Sequence, residues 1–512
     1  MSGAEARGVS GVEARAQSKV IKPTQHMKKK LLLFSTLFMS FWLQAQEDYH
    51  GNCCPEPPAY VAGKTAQEIY KDIEKLSFLG SVLYLAAHPD DENTRLIAYL
   101  SNEVKAITAY LSLTRGDGGQ NRIGSELREL LGVIRTQELL AARAIDGGKQ
   151  YFSRANDFGY SKVPEETLRF WDREKVLADM VWVIRRFRPD IIINRFDHRT
   201  PGSTHGHHTA SAMLSLEAFS LASDNSAFAE QLQYTAPHQA DRLLLNISPW
   251  FYKDQAAFES ADKSEFITLD VNAYYPAKGK SNAEMAAEAR SQHRCQAMGT
   301  SPKRGKQMEY LEHIAGNKPK DKNNIFSGIN TTWSRVKDGA PIADMIEKIL
   351  ADYHFEAPYK SLPALVQLYH EMDALQDCHW KRVKMEALKK ILLQVANIHL
   401  VALSKEDTYV AGEVLDLTLE VLRRSSGGKF SAKLIGYTIF ENFHKCETDF
   451  PYGNFQRIEN KITIPKTLGY DNPYWLQGEA TLGMYEVSDI LLRGKPEAMP
   501  KLSVDVRLDF DG

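Results

Sequence analysis

The sequence predicts an α/β protein: a mainly parallel sheet with helices on both faces, then a helical segment, then a C-terminal β-sandwich-like module. Three observations predict it. Apolar runs of strand length alternate with helical patterns through the first half, as strand–helix–strand units require. A polar, lysine-rich stretch over 316–324 reads as a linker into a helical region. After that region the hydrophobic period becomes two, as in half-buried strands.

The N-terminus comes first. Met27-Lys28-Lys29-Lys30, the apolar run from Leu31 through Leu43 and Gln44-Ala45-Gln46 form the pattern of a secretory signal peptide cut after Ala45. Leu43 is larger than the small residue preferred there, and an uncleaved anchor is the alternative. The run is too short for a comfortable transmembrane helix, so no stable membrane span is expected. A signal peptide begins a chain, so the natural start is expected at Met27. Residues 1–46 are therefore set aside as an N-terminal extension and signal peptide (about 27–45), and a periplasmic or extracellular location is expected. Cys53 and Cys54 are adjacent, while Cys295, Cys378 and Cys446 are isolated. No Cys-x-x-Cys pair exists, so neither a zinc ribbon nor a redox motif is indicated.

The run Val82-Leu83-Tyr84-Leu85-Ala86-Ala87 reads as a buried strand, and Asn93 to Leu100 as a helix. Between them stands His88-Pro89-Asp90-Asp91-Glu92. An imidazole and two adjacent carboxylates thus sit at the carboxyl end of a strand, where open α/β sheets bind ligands. His and Asp are good zinc ligands, and a second carboxylate beside them suits a general base. The plainer reading is that an Asp caps the following helix. A second cluster tips the balance. Thr204-His205-Gly206-His207-His208-Thr209 also follows an apolar strand, Asp190 to Phe196, and also runs into a helical pattern, Ala210 to Phe219. His205 and His208 share a face if that helix starts early enough.

Other elements fill the interval. Ala106 to Thr114 is a second strand, followed by the loop Arg115-Gly116-Asp117-Gly118-Gly119-Gln120. Glu126 to Ile145 is a long helix with Leu127, Leu130, Leu131, Ile134, Leu139 and Ala142 on its apolar face. Arg135 and Glu138 on it have the spacing of an ordinary ion pair. A helix over Glu174 to Phe187 ends at Arg188-Pro189. Asp241 to Ile247 and Glu265 to Val271 are further strands, and Ser281 to Met298 is a helix carrying Arg290, His293 and Gln296.

The two clusters resemble the LmbE-like, or PIG-L, family of zinc-dependent N-acetyl-sugar deacetylases, with a His-Pro-Asp-Asp first motif and a His-x-x-His second motif. The resemblance covers roughly 76–305 and implies a Rossmann-like sheet. The second motif usually reads His-Pro-Asp-His; here it is His-Gly-His-His, which leaves the role of His207 open. The resemblance implies His88, Asp91 and His208 as zinc ligands, Asp90 as general base, and His205 as the group that stabilises or protonates the reacting centre, facing the oxyanion in its protonated form. Three protein ligands leave a position for water, as a hydrolytic zinc site requires. Fe2+ or another divalent ion also suits two imidazoles and one carboxylate. The family has a Gly-rich loop at 115–120 and an Arg-x-x-Glu in the following helix, which makes Arg135 a candidate sugar contact. His293 is carried over as a candidate pocket residue, with a surface histidine as its alternative.

An LmbE-like catalytic domain is thus expected over 70–315, a helical segment over 325–400 and the β module over 401–512. In the helical segment Leu365, Leu368, Tyr369, Met372 and Leu375 form an apolar stripe, read as core. In the module, Leu415, Leu417, Leu419 and Val421 alternate with polar residues, as do Leu502, Val504, Val506, Leu508 and Phe510. Ser425-Ser426-Gly427-Gly428 reads as a hairpin turn. Tyr470, Tyr474 and Trp475 are read as core before sugar platform. Because the chain stops just after a strand, an incomplete last module is also expected. Lys plus Arg number 63 against 65 Asp plus Glu, so no global field favours a nucleic-acid partner. The expected partner is a small-molecule or glycoconjugate substrate. The expected function is removal of an acetyl group from an N-acetylated amino sugar (N-acetylglucosamine-type) or its conjugate. The alternatives are an amidohydrolase of a different acylated amine and a non-catalytic glycan-binding protein; an intact Asp90 argues against the latter.

Overall fold

The computed structural model describes residues 13–18, 63–424 and 430–510. The signal-peptide segment, Cys53, Cys54 and the Ser425–Gly428 turn lie outside the described residues.

The central sheet has seven strands: β1 (Ser81–Ala86), β2 (Ile107–Ser112), β3 (Lys149–Phe152), β4 (Ile191–Asn194), β5 (Arg242–Ile247), β6 (Ile267–Asp270) and β7 (Met308–Gly316). Their order is β3-β2-β1-β4-β5-β7-β6. The first five run parallel, and β7 is antiparallel to both of its neighbours. Helices α1 (Ala66–Leu76), α2 (Thr94–Asn102), α3 (Glu129–Asp146), α4 (Pro164–Phe170), α5 (Arg173–Phe187) and α6 (Gly206–Leu221) connect or flank these strands. Alternate side chains of each strand feed opposite faces. Leu83, Leu85 and Leu111 pack with α5 and α6, while Val82, Tyr84 and Tyr110 pack with α2 and α3. Burial on both faces is why these strands read as continuous apolar runs.

The chain leaves β1 outward to β2 and β3, then returns to lay β4 on the other side of β1. The crevice at such a reversal is where open α/β sheets bind ligands. Both histidine-bearing motifs leave the carboxyl ends of β1 and β4.

Two sequence expectations shift. Helix α3 starts at Glu129 rather than Glu126, behind Arg128 with φ 55°, so Leu127 and Leu130 are exposed. The helix expected to Met298 ends early: after the short helix α7 (Gln255–Ser260), α8 spans only Asn282–Arg290. A turn then lifts His293 and Gln296 off its axis.

Beyond the sheet, α9 (Ala340–Ala351) and α11 (His379–Val395) pack with α1, and α10 (Leu362–Ala374) packs with α9 and α11. Two further sheets follow. β8 (Ile398–Ser404), β9 (Val414–Arg423) and β12 (Gln456–Thr463) form one antiparallel sheet in the order β8-β9-β12; β10 (Ala432–Ile439), β11 (Asn442–Asp449) and β13 (Ser503–Phe510) form the other. The segment Glu13–Ser18 pairs parallel with β13. Inward residues of both sheets, such as Leu417, Leu434 and Val506, share one hydrophobic cluster with α1 and α9–α11.

Between β12 and β13 the chain returns to the α/β unit. Phe152 N–H donates to Gly494 O (3.0 Å), Tyr485 N–H to Arg154 O (2.8 Å) and Asn156 N–H to Gly483 O (2.9 Å). This strap covers the exposed edge of β3, which would otherwise offer unpaired backbone groups. It also clasps the Gly-rich loop. Arg115, 1 % exposed, donates to Pro496 O, Lys495 O and the Tyr474 hydroxyl, and its guanidinium lies 3.4 Å from the Trp475 ring centroid. The Tyr485 hydroxyl donates to Asp117 Oδ1. Tyr474 and Trp475 are buried here as core, whereas Tyr470 is exposed.

Candidate metal and catalytic site

The His88–Glu92 segment is not a helix cap. Asn93 caps α2 instead, its Oδ1 accepting from Leu96 N–H at 3.2 Å. The upstream acids are thereby free for other work. Pro89 keeps His88 off the helix, and the Tyr110 hydroxyl fixes its carbonyl at 2.5 Å. Asp90 has φ 115°, a conformation costly for any residue with a Cβ. Three contacts hold it: its N–H donates to Glu92 Oε2 (2.9 Å), its carbonyl accepts from Arg290, and its Oδ2 accepts from Gln296 Nε2 (2.6 Å).

Asp91 joins the two motifs. Its Oδ2 accepts from His88 N–H at 2.8 Å and lies 3.2 Å from His88 Nδ1, while its Oδ1 lies 3.5 Å from His208 Nε2. One donor atom from each of His88, Asp91 and His208 lies within 4.8 Å of the others. The His208 ring stacks face to face on Phe196, centroids 3.8 Å apart, which fixes its orientation. His88, His205 and His207 form a second grouping of the same compactness. His207 is fully buried between Trp171 and Phe158, its Nδ1 2.9 Å from His88 Nε2 and its Nε2 without a hydrogen-bond partner. This histidine, the third residue of the second motif, backs the His88 ring from behind.

The electrostatics suit a cation. Burial opposes charge on His88, but the Asp91 hydrogen bond and the charges of Asp157, Asp91 and Asp90 outweigh it and raise its pKa to about 9. Burial likewise opposes the Asp91 carboxylate, yet His208 and His88 drive its pKa far down. A field that draws positive charge to this point, with two imidazoles and a carboxylate converging, fits a divalent metal. Burial and then the neighbouring Asp91 charge push Asp90 up to about 6. His205 differs from the protonated form expected from sequence. Burial first, then the charges of His88 and His208, lower it to about 4. Its Nδ1 caps α6 by accepting His207 N–H at 3.1 Å, which leaves Nε2 as the N–H donor of a neutral ring.

A cleft of about 660 Å³ opens over these groups, lined by Asp90, Asp91, His205 and His208 on its floor. Arg195, Phe196 and Trp250 line one side, and Ala283, Ala286, Ala287 and Arg290 another. Arg135 does not line it: its guanidinium is buried under the Gly-rich loop, donating to Gln120 O at 2.8 Å. Nor do Arg135 and Glu138 form an ion pair, because Glu138 accepts from Cys295 N–H and Sγ. His293 is also absent from the lining. It is fully buried, 2.8 Å from Glu92 Oε1, which Arg143 also approaches at 3.4 Å. Burial opposes the Glu92 charge, but His293 and Arg143 bring its pKa down to about 2, so it acts as a fixed anion behind Asp90. Sequence reasoning assigned no role to Glu92, Gln296, Arg195 or Trp250. Glu92 was visible as the fifth residue of the first motif, but its partners come from α3 and from the turn after α8.

Residues 83–219, which contain both motifs, match the family model described as PIG-L: GlcNAc-PI de-N-acetylase. No curated protein matches the chain. Similar solved structures include N,N'-diacetylchitobiose deacetylase from Pyrococcus horikoshii, at 20 % identity over 42 % of this chain and 70 % of that one, TM-score 0.30. The conserved protein TT1542 from Thermus thermophilus matches at 22 % identity over 42 % of this chain and 79 % of that one, TM-score 0.29. GalB, the 4-carboxy-2-hydroxymuconate hydratase from Pseudomonas putida, matches at 18 % identity over 47 % of this chain and 98 % of that one, TM-score 0.30. Residues 83–219 are accordingly a PIG-L (LmbE-like) family domain.

Proposed function

We propose that this protein is an exported, metal-dependent hydrolase that removes the acetyl group from an N-acetylated amino sugar or its conjugate. The observation that carries the reading is the convergence of His88, Asp91 and His208 beside a held, unliganded carboxylate, Asp90, inside a PIG-L family domain. His88, Asp91 and His208 would hold the ion, zinc by the nature of the donors. A divalent cation so held supplies Lewis acidity toward an amide carbonyl and toward water. Asp90 takes the attacking water's proton; with its pKa near 6 it is ionised at neutral pH yet basic enough to accept it. The neutral His205 offers its Nε2–H to the developing oxyanion. Protonated Asp90 then returns the proton to the departing amine. Export rests on the pattern at 27–45.

The test is amine release from a panel of N-acetyl-amino-sugar substrates by metal-stripped and zinc-reloaded protein, with Asp90→Asn alongside. Zinc-restored release that Asp90→Asn lacks, at unchanged metal content, is the expected result. No release from any substrate at stoichiometric bound zinc, or full activity in Asp90→Asn, overturns the reading.

A further inference from the structure

The cations around the cleft are not equivalent. Arg95 is neutralised by Glu309 at 2.7 Å. Arg290 is committed to the Asp90 carbonyl. Arg195 is different. It leaves the end of β4 immediately before Phe196, half-buried, and lines the cleft beside His208. Its Nη1 donates to Ser248 Oγ at 2.9 Å, and its guanidinium lies 5.2 Å from the Trp250 ring centroid. Among the described residues no carboxylate lies within ion-pair distance of it. The Trp250 ring is itself 45 % exposed and borders the same cleft. A half-desolvated guanidinium whose company is the Ser248 and Tyr84 hydroxyls and an aromatic ring lacks the anion it is shaped to bind.

We propose that Arg195 and Trp250 form a substrate subsite that selects an N-acyl amino sugar bearing a carboxylate. The sugar ring lies against the exposed part of Trp250, whose ring is braced by stacking on Phe251, and the carboxylate meets the Arg195 guanidinium from the cleft next to the Ser248 hydroxyl. A single unneutralised guanidinium matches a monoanion. A phosphate ester, carrying closer to two charges, would call for a second inward cation, and the remaining candidate, Lys303, is on the exposed rim. Arg195 thereby becomes the specificity-determining residue of the site. The inference deepens the deacetylase reading and rests on it for the scissile amide, not for the anion subsite.

The experiment uses the full chain, zinc-loaded, with three probes: N-acetylmuramic acid, its methyl ester and N-acetylglucosamine 6-phosphate. Amine release gives kcat and KM, and calorimetry gives affinity without turnover. The acid is expected to beat its ester by tenfold or more, mainly in KM. Arg195→Gln should bring that ratio close to one, and Arg195→Lys should keep part of it, since a point charge survives but the fork does not. Because the readout is a ratio within one variant, a general loss of stability does not imitate it. Equal handling of acid and ester by the unmodified protein overturns the inference. So does a preference that survives Arg195→Gln, or a 6-phosphate that outcompetes the acid. An acid preference seen by calorimetry with no amine release would uphold the subsite and refute the deacetylase reading instead.

Discussion

Replacing Lys384 with Met should make the protein more stable, by an amount that depends on pH. Lys384 lies in α11, only 3 % exposed, in the interface with α1. Its Nζ donates to Lys75 O at 2.6 Å and sits 5.7 Å from the Trp380 ring centroid. Burial, then the charges of Lys75 and Lys149, lower its pKa from 10.5 to about 7. That fall corresponds to a penalty of roughly 5 kcal/mol on the charged form. The folded state releases the proton more readily than the unfolded one, so stability rises with pH between about 7 and 10.5. The benefit is complete above 10.5 and is lost as pH falls through 7. Methionine matches the lysine stem without the charge, at the cost of one hydrogen bond of about 1 kcal/mol. At pH 6 the gain should therefore be about 2–4 kcal/mol, shrinking to nothing or a slight loss near pH 10.5. The assay is the denaturation midpoint of both proteins at several pH values, read as the difference between them so that other titrating groups cancel. A difference that stays flat with pH, or a destabilised variant at pH 6, would refute the burial argument.

Other outcomes follow from the same structure. Gln296→Leu removes a charge-assisted hydrogen bond to Asp90 Oδ2, worth about 1.5–3 kcal/mol, and should lower kcat by about tenfold or more while bound zinc stays stoichiometric. Unchanged kcat would show that Asp90 is held without it. Trp475→Ala empties a buried site against Arg115 and should destabilise by about 3–5 kcal/mol, read by thermal unfolding and by faster proteolysis of the Gly-rich loop. A change below about 1 kcal/mol would mean that the strap does not clasp the loop.

Much of the α/β unit was legible because its signals are local. Val82–Ala87 and Asp190–Phe196 are largely apolar because both faces of those strands are buried, and the strand ends mark where the motifs emerge. The polar shell of the site was not. Glu92 meets His293 and Arg143, and Gln296 meets Asp90, only because α3 and the turn after α8 converge on β1. Such contacts leave no periodicity. The same holds for Arg135, whose helical spacing to Glu138 suggests a pair that the Gly-rich loop and Cys295 divide between them. Lys384 lies in a pattern that looks amphipathic, and its burial depends on α1, whose Lys75 carbonyl stands 309 residues earlier.

The strap has a consequence in time as well as in space. Arg115 and its acceptor Lys495 O are 380 residues apart in the chain. At ~5–20 residues per second of synthesis, that separation is roughly 20–80 s. Throughout that interval the nascent α/β unit holds an arginine with Thr136 Oγ1 in place of its full set of acceptors, and a strand edge with no cover. Closure of the strap is thus the last step in completing the α/β unit, long after its own strands and helices have been made. A polypeptide released before that point is expected to be cleaved faster by protease than the full chain, because the edge of β3 is left bare.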